Sequence, residues 1–310
     1  MIRPKDRALV DGIDAGLDAF SRANGELPGI ATPERRQALK EQLLESVHRV
    51  RYVQVIRERP ISPQRADPDN ELFDPLKAAI LHQQSGSVEE AFWLVFLFVH
   101  FGRSSRGGWR YVREVYGRLG DGRNWDWAST SADPAAFRAW LRAHQGTIRR
   151  RGVPGGFGNH RKYESLDADS GNGTGAVVES YVRWVDPPRT HQEMIDEAAS
   201  QVGNDPESTF DTLYKSMDAV VHFGRLARFD YLTMLGKLGL ANINPGSPYL
   251  EGSSGPRKGA ALLFGGNESV ETLDAKVVEL DQELHVGMQV LEDGLCNWQK
   301  SPDKFVPFRG

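Results

Sequence analysis

Apolar residues recur every three to four positions along most of this chain, and they seldom alternate with polar ones at the period of two that marks a strand. The first helical pattern covers residues 7–23, and the next starts at Pro33 and runs over residues 36–57. Asp74 followed by Pro75 supplies an N-cap and a proline suited to a first helical turn, predicting a helix that continues through His82. Ser87 with Glu90 three residues later predicts a capping box ahead of a helix ending at Phe101. Further helices are predicted over residues 110–119, 134–144, 192–201, 210–240, 258–264 and 270–298, while residues 181–184 are ambiguous. Residues 59–70 have the composition of a linker, residues 146–175 read as a long Gly-rich loop, and residues 242–255 as a Pro/Gly turn region. Strand signals are scarce and no internal repeat is visible. The pattern predicts a mainly α protein, with a helical N-terminal extension over residues 1–70 and one larger domain over residues 71–310.

Composition narrows the options. With 310 residues the chain can bury a sizeable core, and its single cysteine, Cys296, excludes an internal disulfide framework, a Cys-rich zinc site and a four-Cys iron–sulfur cluster. A reducing, cytoplasmic setting is the expectation. No membrane span is predicted, because the most apolar run, residues 91–101, is interrupted by His100 and falls short of the ~20 residues a bilayer requires. The opening Met-Ile-Arg-Pro-Lys-Asp-Arg also lacks the apolar centre of a signal peptide. A net charge of −4 does not advertise a nucleic-acid binder, but the charges are segregated. Arg103, Arg106, Arg110, Arg113 and Arg118 crowd one segment, and no Asp or Glu lies between Arg142 and Lys162. Such clusters suit phosphate, although solvated helix faces carry arginines too.

Candidate chemistry begins at residues 252–280. A Ser/Gly turn (Gly252, Ser254, Gly255) precedes a helix carrying Arg257 and Lys258, and the outward N–H groups of such a turn form a ready phosphate site. Asp274 follows Gly255 by nineteen residues at a predicted helix start, where an ordinary N-cap aspartate is also expected. Upstream, Gln83 and Gln84 end the helix that passes through His82, either as plain caps or as amides able to fill the gap left by an extruded base. His160, Arg161, Lys162 and Tyr163 offer hydrogen-bonding and stacking groups for phosphate and base. Arg225 and Arg228, three apart on a helix, are spaced to clamp a phosphate, and Asp230 follows as an acid or as a partner for neighbouring cations. Trp109, Trp125 and Trp127 read as packing residues.

The turn with Asp274 and the Gln83-Gln84 segment together resemble the helix-hairpin-helix DNA glycosylase superfamily. Gly158-Asn-His-Arg-Lys-Tyr-Glu-Ser-Leu, Phe223-Gly-Arg-Leu-Ala-Arg-Phe-Asp and Pro245-Gly-Ser-Pro-Tyr-Leu-Glu-Gly narrow this to something similar to its α-glutamyl/putrescinyl-thymine pyrophosphorylase-like branch. The resemblance covers roughly residues 72–300 and implies a helix-hairpin-helix glycosylase-like catalytic domain behind the N-terminal extension. It further implies a DNA glycosylase that flips a bulky modified pyrimidine from double-stranded phage DNA and hydrolyses its N-glycosidic bond, a role in antiviral defence. Asp274 would stabilise the oxocarbenium-like sugar, with Asp230 as a second catalytic candidate. The hairpin, Gln83, Gln84, Arg161 and Lys162 would hold DNA, and His82, His160, Tyr163, Arg225 and Arg228 would line the base pocket. Arg257 or Lys258, depending on register, falls where bifunctional relatives keep a Schiff-base lysine, and a monofunctional enzyme is expected. Water is the only co-substrate needed; neither cofactor nor metal is implied, and oligomeric state is left open. The alternative within the same branch is displacement of pyrophosphate from a 5-pyrophosphomethyl-uracil by an amine or amino acid. A catalytically silent module that binds modified DNA is a third reading. One departure from the superfamily pattern is Ser253, which stands where the hairpin usually has its first glycine.

Overall fold

The computed structural model describes residues 3–151, 156–266 and 268–307. Among them the helices run in the order α1 (Arg7–Asn24), α2 (Pro33–Arg57), α3 (Pro75–Gln84), α4 (Val88–Phe101), α5 (Arg110–Tyr116), α6 (Trp127–Ala132) and α7 (Pro134–Arg150). They continue as α8 (Thr174–Val185), α9 (His191–Gln201), α10 (Pro206–Ser216), α11 (Arg225–Leu238), α12 (Gly255–Phe264), α13 (Val270–Leu284) and α14 (Met288–Trp298). Short 3-10 turns and an isolated bridge between Ser104 and Gly108 complete the described backbone, so the protein is mainly α as the periodicity predicts. No described helix is long and apolar enough to cross a membrane.

Several boundaries differ from the sequence pattern for local reasons. The stretch over residues 210–240 is two helices, because His222 adopts a φ of 57° and Gly224 caps α11 in extended geometry. Residues 270–298 are likewise interrupted: His285 turns left-handed at φ 51°, and the Asp281 carboxylate accepts the N–H groups of Val286 and Gly287. The Gly-rich stretch is shorter than expected, since α7 extends to Arg150 and α8 begins at Thr174, taking in residues 181–184; its residues 152–155 lie outside the described residues. Ser87 caps α4 without a side-chain hydrogen bond. The expected capping box is absent because the Glu90 carboxylate accepts the Trp127 N–H and the Tyr116 hydroxyl instead, each at 2.7 Å.

The chain forms two compact units, Met1–Val55 with Pro245–Arg309, and Ile56–Asn244. In the first, α1 buries Val10, Ile13, Leu17 and Phe20, a stripe at helical spacing, and the last three enter a core shared with Leu280 and Leu284 of α13. Helices α12 and α14 approach at Gly259, where a Cβ would run into the Leu295 carbonyl. Gly259→Ala is therefore expected to lower stability by about 2 kcal/mol despite the better helix propensity of alanine, because backbone on the facing helix has to move. A denaturant titration checks this, and a variant as stable as wild type would show that the two helices part at little cost.

The second unit is organised by α4, whose residues from Ala91 to Leu97 are all essentially inaccessible. A helix this apolar on every face belongs inside a core. Phe96 stacks on Tyr181 of α8 with ring centroids 3.8 Å apart, and the Trp93 indole N–H donates to the Trp125 carbonyl at 2.8 Å. At the start of this helix, burial outweighs the hydrogen bonds from Trp127 and Tyr116 and pushes the Glu90 carboxyl up to about 7. The folded chain thus binds a proton where the unfolded chain has released it, and wild-type stability falls as pH rises from the ordinary 4.5 toward about 7. Glu90→Gln, which cannot ionise, is expected to gain on wild type across that window by roughly 3 kcal/mol. Melting temperatures of both proteins at several pH values test it; a constant difference would mean that Glu90 ionises as usual.

Candidate functional site

The second unit brings together two of the sequence-derived site residues. Arg161 ends a 3-10 turn, Asn159–Arg161, that rests on the C-terminus of α4: the Gly158 N–H donates to the Phe101 carbonyl at 2.8 Å. Gly158 is required there, because a Cβ would stand 2.9 Å from the Arg103 backbone nitrogen. The Arg161 side chain is only 8% exposed, whereas the Asp230 side chain on α11 is 39% exposed. Arg161 Nε donates to the Val99 carbonyl at 2.7 Å and Nη2 donates to Asp230 Oδ2 at 2.8 Å. A buried guanidinium thus fixes a carboxylate that still faces solvent, an arrangement suited to accepting a proton or stabilising developing positive charge.

Three residues that the sequence pattern does not single out adjoin this pair. The Glu164 N–H donates to the Arg161 carbonyl, and the Glu164 carboxylate accepts a hydrogen bond from His222 Nδ1 at 3.0 Å. His100, buried in the last turn of α4, has Nδ1 3.9 Å from the same carboxylate oxygen. The Thr174 hydroxyl donates its only proton to the Ser165 carbonyl, so its oxygen accepts from His100 Nε2 at 3.0 Å. His100 therefore carries its proton on Nε2. Burial, helped by the positive charge of Arg161 and by His222, pushes His100 down to about 3 and keeps it neutral. The available signal was positional: Glu164 ends the basic run 160–163, and His222 immediately precedes Phe223-Gly-Arg.

The remaining candidates in this unit divide by exposure. Lys162 and Tyr163 are exposed, with Lys162 Nζ 5.0 Å from the centre of the Tyr163 ring, and His160 is exposed beside them. Arg225 lies over the Phe229 ring at 4.8 Å. Arg228 donates to the Phe223 carbonyl and to Asp218, so the two arginines of α11 are engaged separately. Gln83 donates to the Leu238 carbonyl at 3.0 Å, closing the C-terminus of α11, and Gln84 is exposed. His82 is half-buried; burial lowers its pKa against the opposing pull of Asp126.

A second array, which runs from the buried interior to half-exposed Glu89, is also silent in the sequence pattern. Glu89 accepts from His191 Nδ1 at 2.7 Å and from the His191 backbone N–H, Tyr181 meets His191 Nε2 at 2.7 Å, and Tyr231 meets Tyr181 at 2.8 Å. Burial lowers the pKa of His191 despite Glu89, whereas for Glu89 the His191 contacts overcome burial and the shift is downward. Glu89 is thus ionised and His191 neutral, which orders the donors as Tyr231 to Tyr181 to His191 to Glu89.

In the first unit, Asp274 occupies the second turn of α13, and its Oδ1 accepts the Leu250 N–H at 3.0 Å. Gly252 takes a φ of 68°, and Ser254 caps α12 without a side-chain bond. Gly255 opens the helix against Cys296, and both Arg257 and Lys258 are exposed in its first turn.

Neither a curated protein nor a solved structure matches the chain. A family model described as alpha-glutamyl/putrescinyl thymine pyrophosphorylase clade 3 matches residues 34–310, a span that includes both Asp230 with its buried Arg161 and Asp274 with its turn. By that match the chain belongs to the alpha-glutamyl/putrescinyl thymine pyrophosphorylase clade 3 family.

Proposed function

We propose that this protein is a transferase that joins an amine to the 5-methylene carbon of a pyrophosphate-activated thymine derivative in DNA. The family description couples glutamyl- or putrescinyl-thymine with pyrophosphate, which supports this chemistry ahead of base excision. The C–O bond between the methylene carbon and pyrophosphate breaks, and pyrophosphate leaves with the electron pair. The amine nitrogen forms a C–N bond to the same carbon and gives up a proton. The observation that carries the reading is the Asp230 carboxylate, held at 2.8 Å by buried Arg161 and open on its other side. In this reading it receives that proton, while exposed Lys162, next to Arg161 in the chain, suits a departing pyrophosphate.

Excision by a helix-hairpin-helix glycosylase is the second reading, favoured by the Leu250 N–H that holds Asp274 beside the turn leading to α12. One experiment separates the two. Protein is incubated with DNA carrying 5-pyrophosphomethyl-uracil and with putrescine or glutamate, then nucleosides are analysed by mass spectrometry and a portion is treated with alkali. An amine-bearing base together with free pyrophosphate supports transfer. Alkali-labile breaks that disappear in Asp274→Asn support excision. DNA left unchanged while still bound supports a binding module.

A further inference from the structure

We infer that three separate segments of the second unit converge into a binding face for the phosphodiester backbone of DNA, with Tyr163 as a stacking platform at its edge. The segments are the turn bearing Arg103 and Arg106, the end of α7 at Arg149 and Arg150, and Lys162 after the 3-10 turn. Their convergence is geometric rather than sequential. The Gly158 backbone packs on Arg103 and donates to Phe101, which seats the turn of residues 103–108 against the segment that leads to Lys162. Arg110 Nη1 donates to the Ile148 carbonyl at 2.9 Å, which ties the end of α7 to the start of α5 directly after that turn. Tyr111 of α5 meets Phe157 edge-on at 5.8 Å, which ties α5 to the segment that leads to Lys162.

Arg103, Arg106, Arg149, Arg150 and Lys162 are all exposed. Arginines farther back along α7 are paired instead, Arg138 with Glu179 and Arg142 with Asp169. Asp167, the acid whose charge is felt at Arg149, turns its carboxylate onto the Asp169 and Ser170 N–H groups. The face is therefore cationic although the whole chain carries a charge of −4. Tyr163 is 81% exposed, well beyond the other large apolar side chains that reach solvent in the described structure. An aromatic ring so exposed within a basic run is poorly explained by packing and well explained by stacking on an unpaired base.

The partner, DNA, is taken from the transferase reading; the face itself rests on geometry, and its test uses unmodified DNA on which no transfer can occur. Binding of a fluorescent duplex is measured by anisotropy over a salt series for wild type, for R103Q/R106Q/R149Q/R150Q, and for R59Q/R183Q. The last pair removes exposed charge outside the three segments. The quadruple variant is expected to bind at least thirtyfold more weakly, with a salt slope shallower by about 0.9 for each phosphate that is no longer neutralised. The control pair is expected to bind as wild type does. A quadruple variant with wild-type affinity and slope would overturn the inference, as would a loss in the control pair of about half that of the quadruple variant on a logarithmic scale, in proportion to the two charges it removes, which would reduce the effect to net charge. Tyr163→Ala is expected to lose about tenfold in affinity for a duplex containing one unpaired thymine, and Tyr163→Phe to keep it. Equal binding by all three proteins would remove the stacking role. Failure of amine transfer with this binding pattern intact would overturn the transferase reading alone.

Discussion

Asp230→Asn is expected to reduce amine transfer by at least two orders of magnitude while leaving the protein folded. Asparagine keeps the shape of the side chain and retains a carbonyl oxygen for Arg161 Nη2, which now donates to Asp230 at 2.8 Å. What it loses is the ability to take up a proton. General base catalysis by a positioned side chain is worth about 10²–10⁴ in rate. Arg161, whose side chain is only 8% exposed, loses its counter-charge but keeps two hydrogen-bond acceptors, the Val99 carbonyl and the asparagine oxygen. The measurement is kcat and KM on pyrophosphorylated DNA, with a melting curve beside it. A fall in kcat at constant KM and near-constant melting temperature is the expected outcome. Unchanged kcat would reduce Asp230 to a structural partner of Arg161 and take the transferase mechanism with it.

Arg161→Met carries the largest expected loss of stability, about 3 kcal/mol. Methionine fills part of the volume but donates nothing, so the Val99 carbonyl at the end of α4 loses the Arg161 Nε donor 2.7 Å away. Asp230 is released to solvent at the same time. The variant is expected to be both less stable and slow, whereas Asp230→Asn is slow only. Arg161→Lys is not a conservative replacement, since one ammonium cannot hold the Val99 carbonyl and Asp230 in the geometry of a planar fork. Denaturant unfolding of the three variants separates these effects. Equal stability of Arg161→Met and wild type would mean that the guanidinium contributes no net hydrogen bonding to the fold.

The helices were legible wherever the determinant was local. Asp74 caps α3 through the Leu76 and Lys77 N–H groups, as the Asp-Pro pair predicts, and the apolar stripe of α1 faces the core. The misread boundaries involve side chains that found a better partner across the fold. Glu90 left its own helix cap for Trp127 and Tyr116, and nothing in the spacing of Ser87 and Glu90 announces that choice. The breaks at His222 and His285 depend on non-glycine residues in left-handed geometry, which short-range patterns rarely signal.

The site shows the same division. Sequence singled out Arg161 and Asp230 separately, as members of a basic run and of a helix sixty-nine residues apart. Gln83 and Arg228 were noted for polar chemistry, and both are hydrogen-bonded to backbone carbonyls. His100, Glu164 and His222 were invisible because each is ordinary in its own segment. Glu89, His191, Tyr181 and Tyr231 were invisible for the same reason, since four residues from four helices become an ordered donor chain only when those helices pack.

By itself, the sequence determined the helical class, most helix starts and the segregation of positive charge, because periodicity, caps and composition act within a few residues of one another. Tertiary structure alone decided that the helices before Val55 share a core with those after Pro245. It also decided that a buried arginine and a half-exposed aspartate meet, and that three basic segments lie side by side. Burial and hydrogen bonding between distant segments select those pairings, and neither is encoded in local spacing.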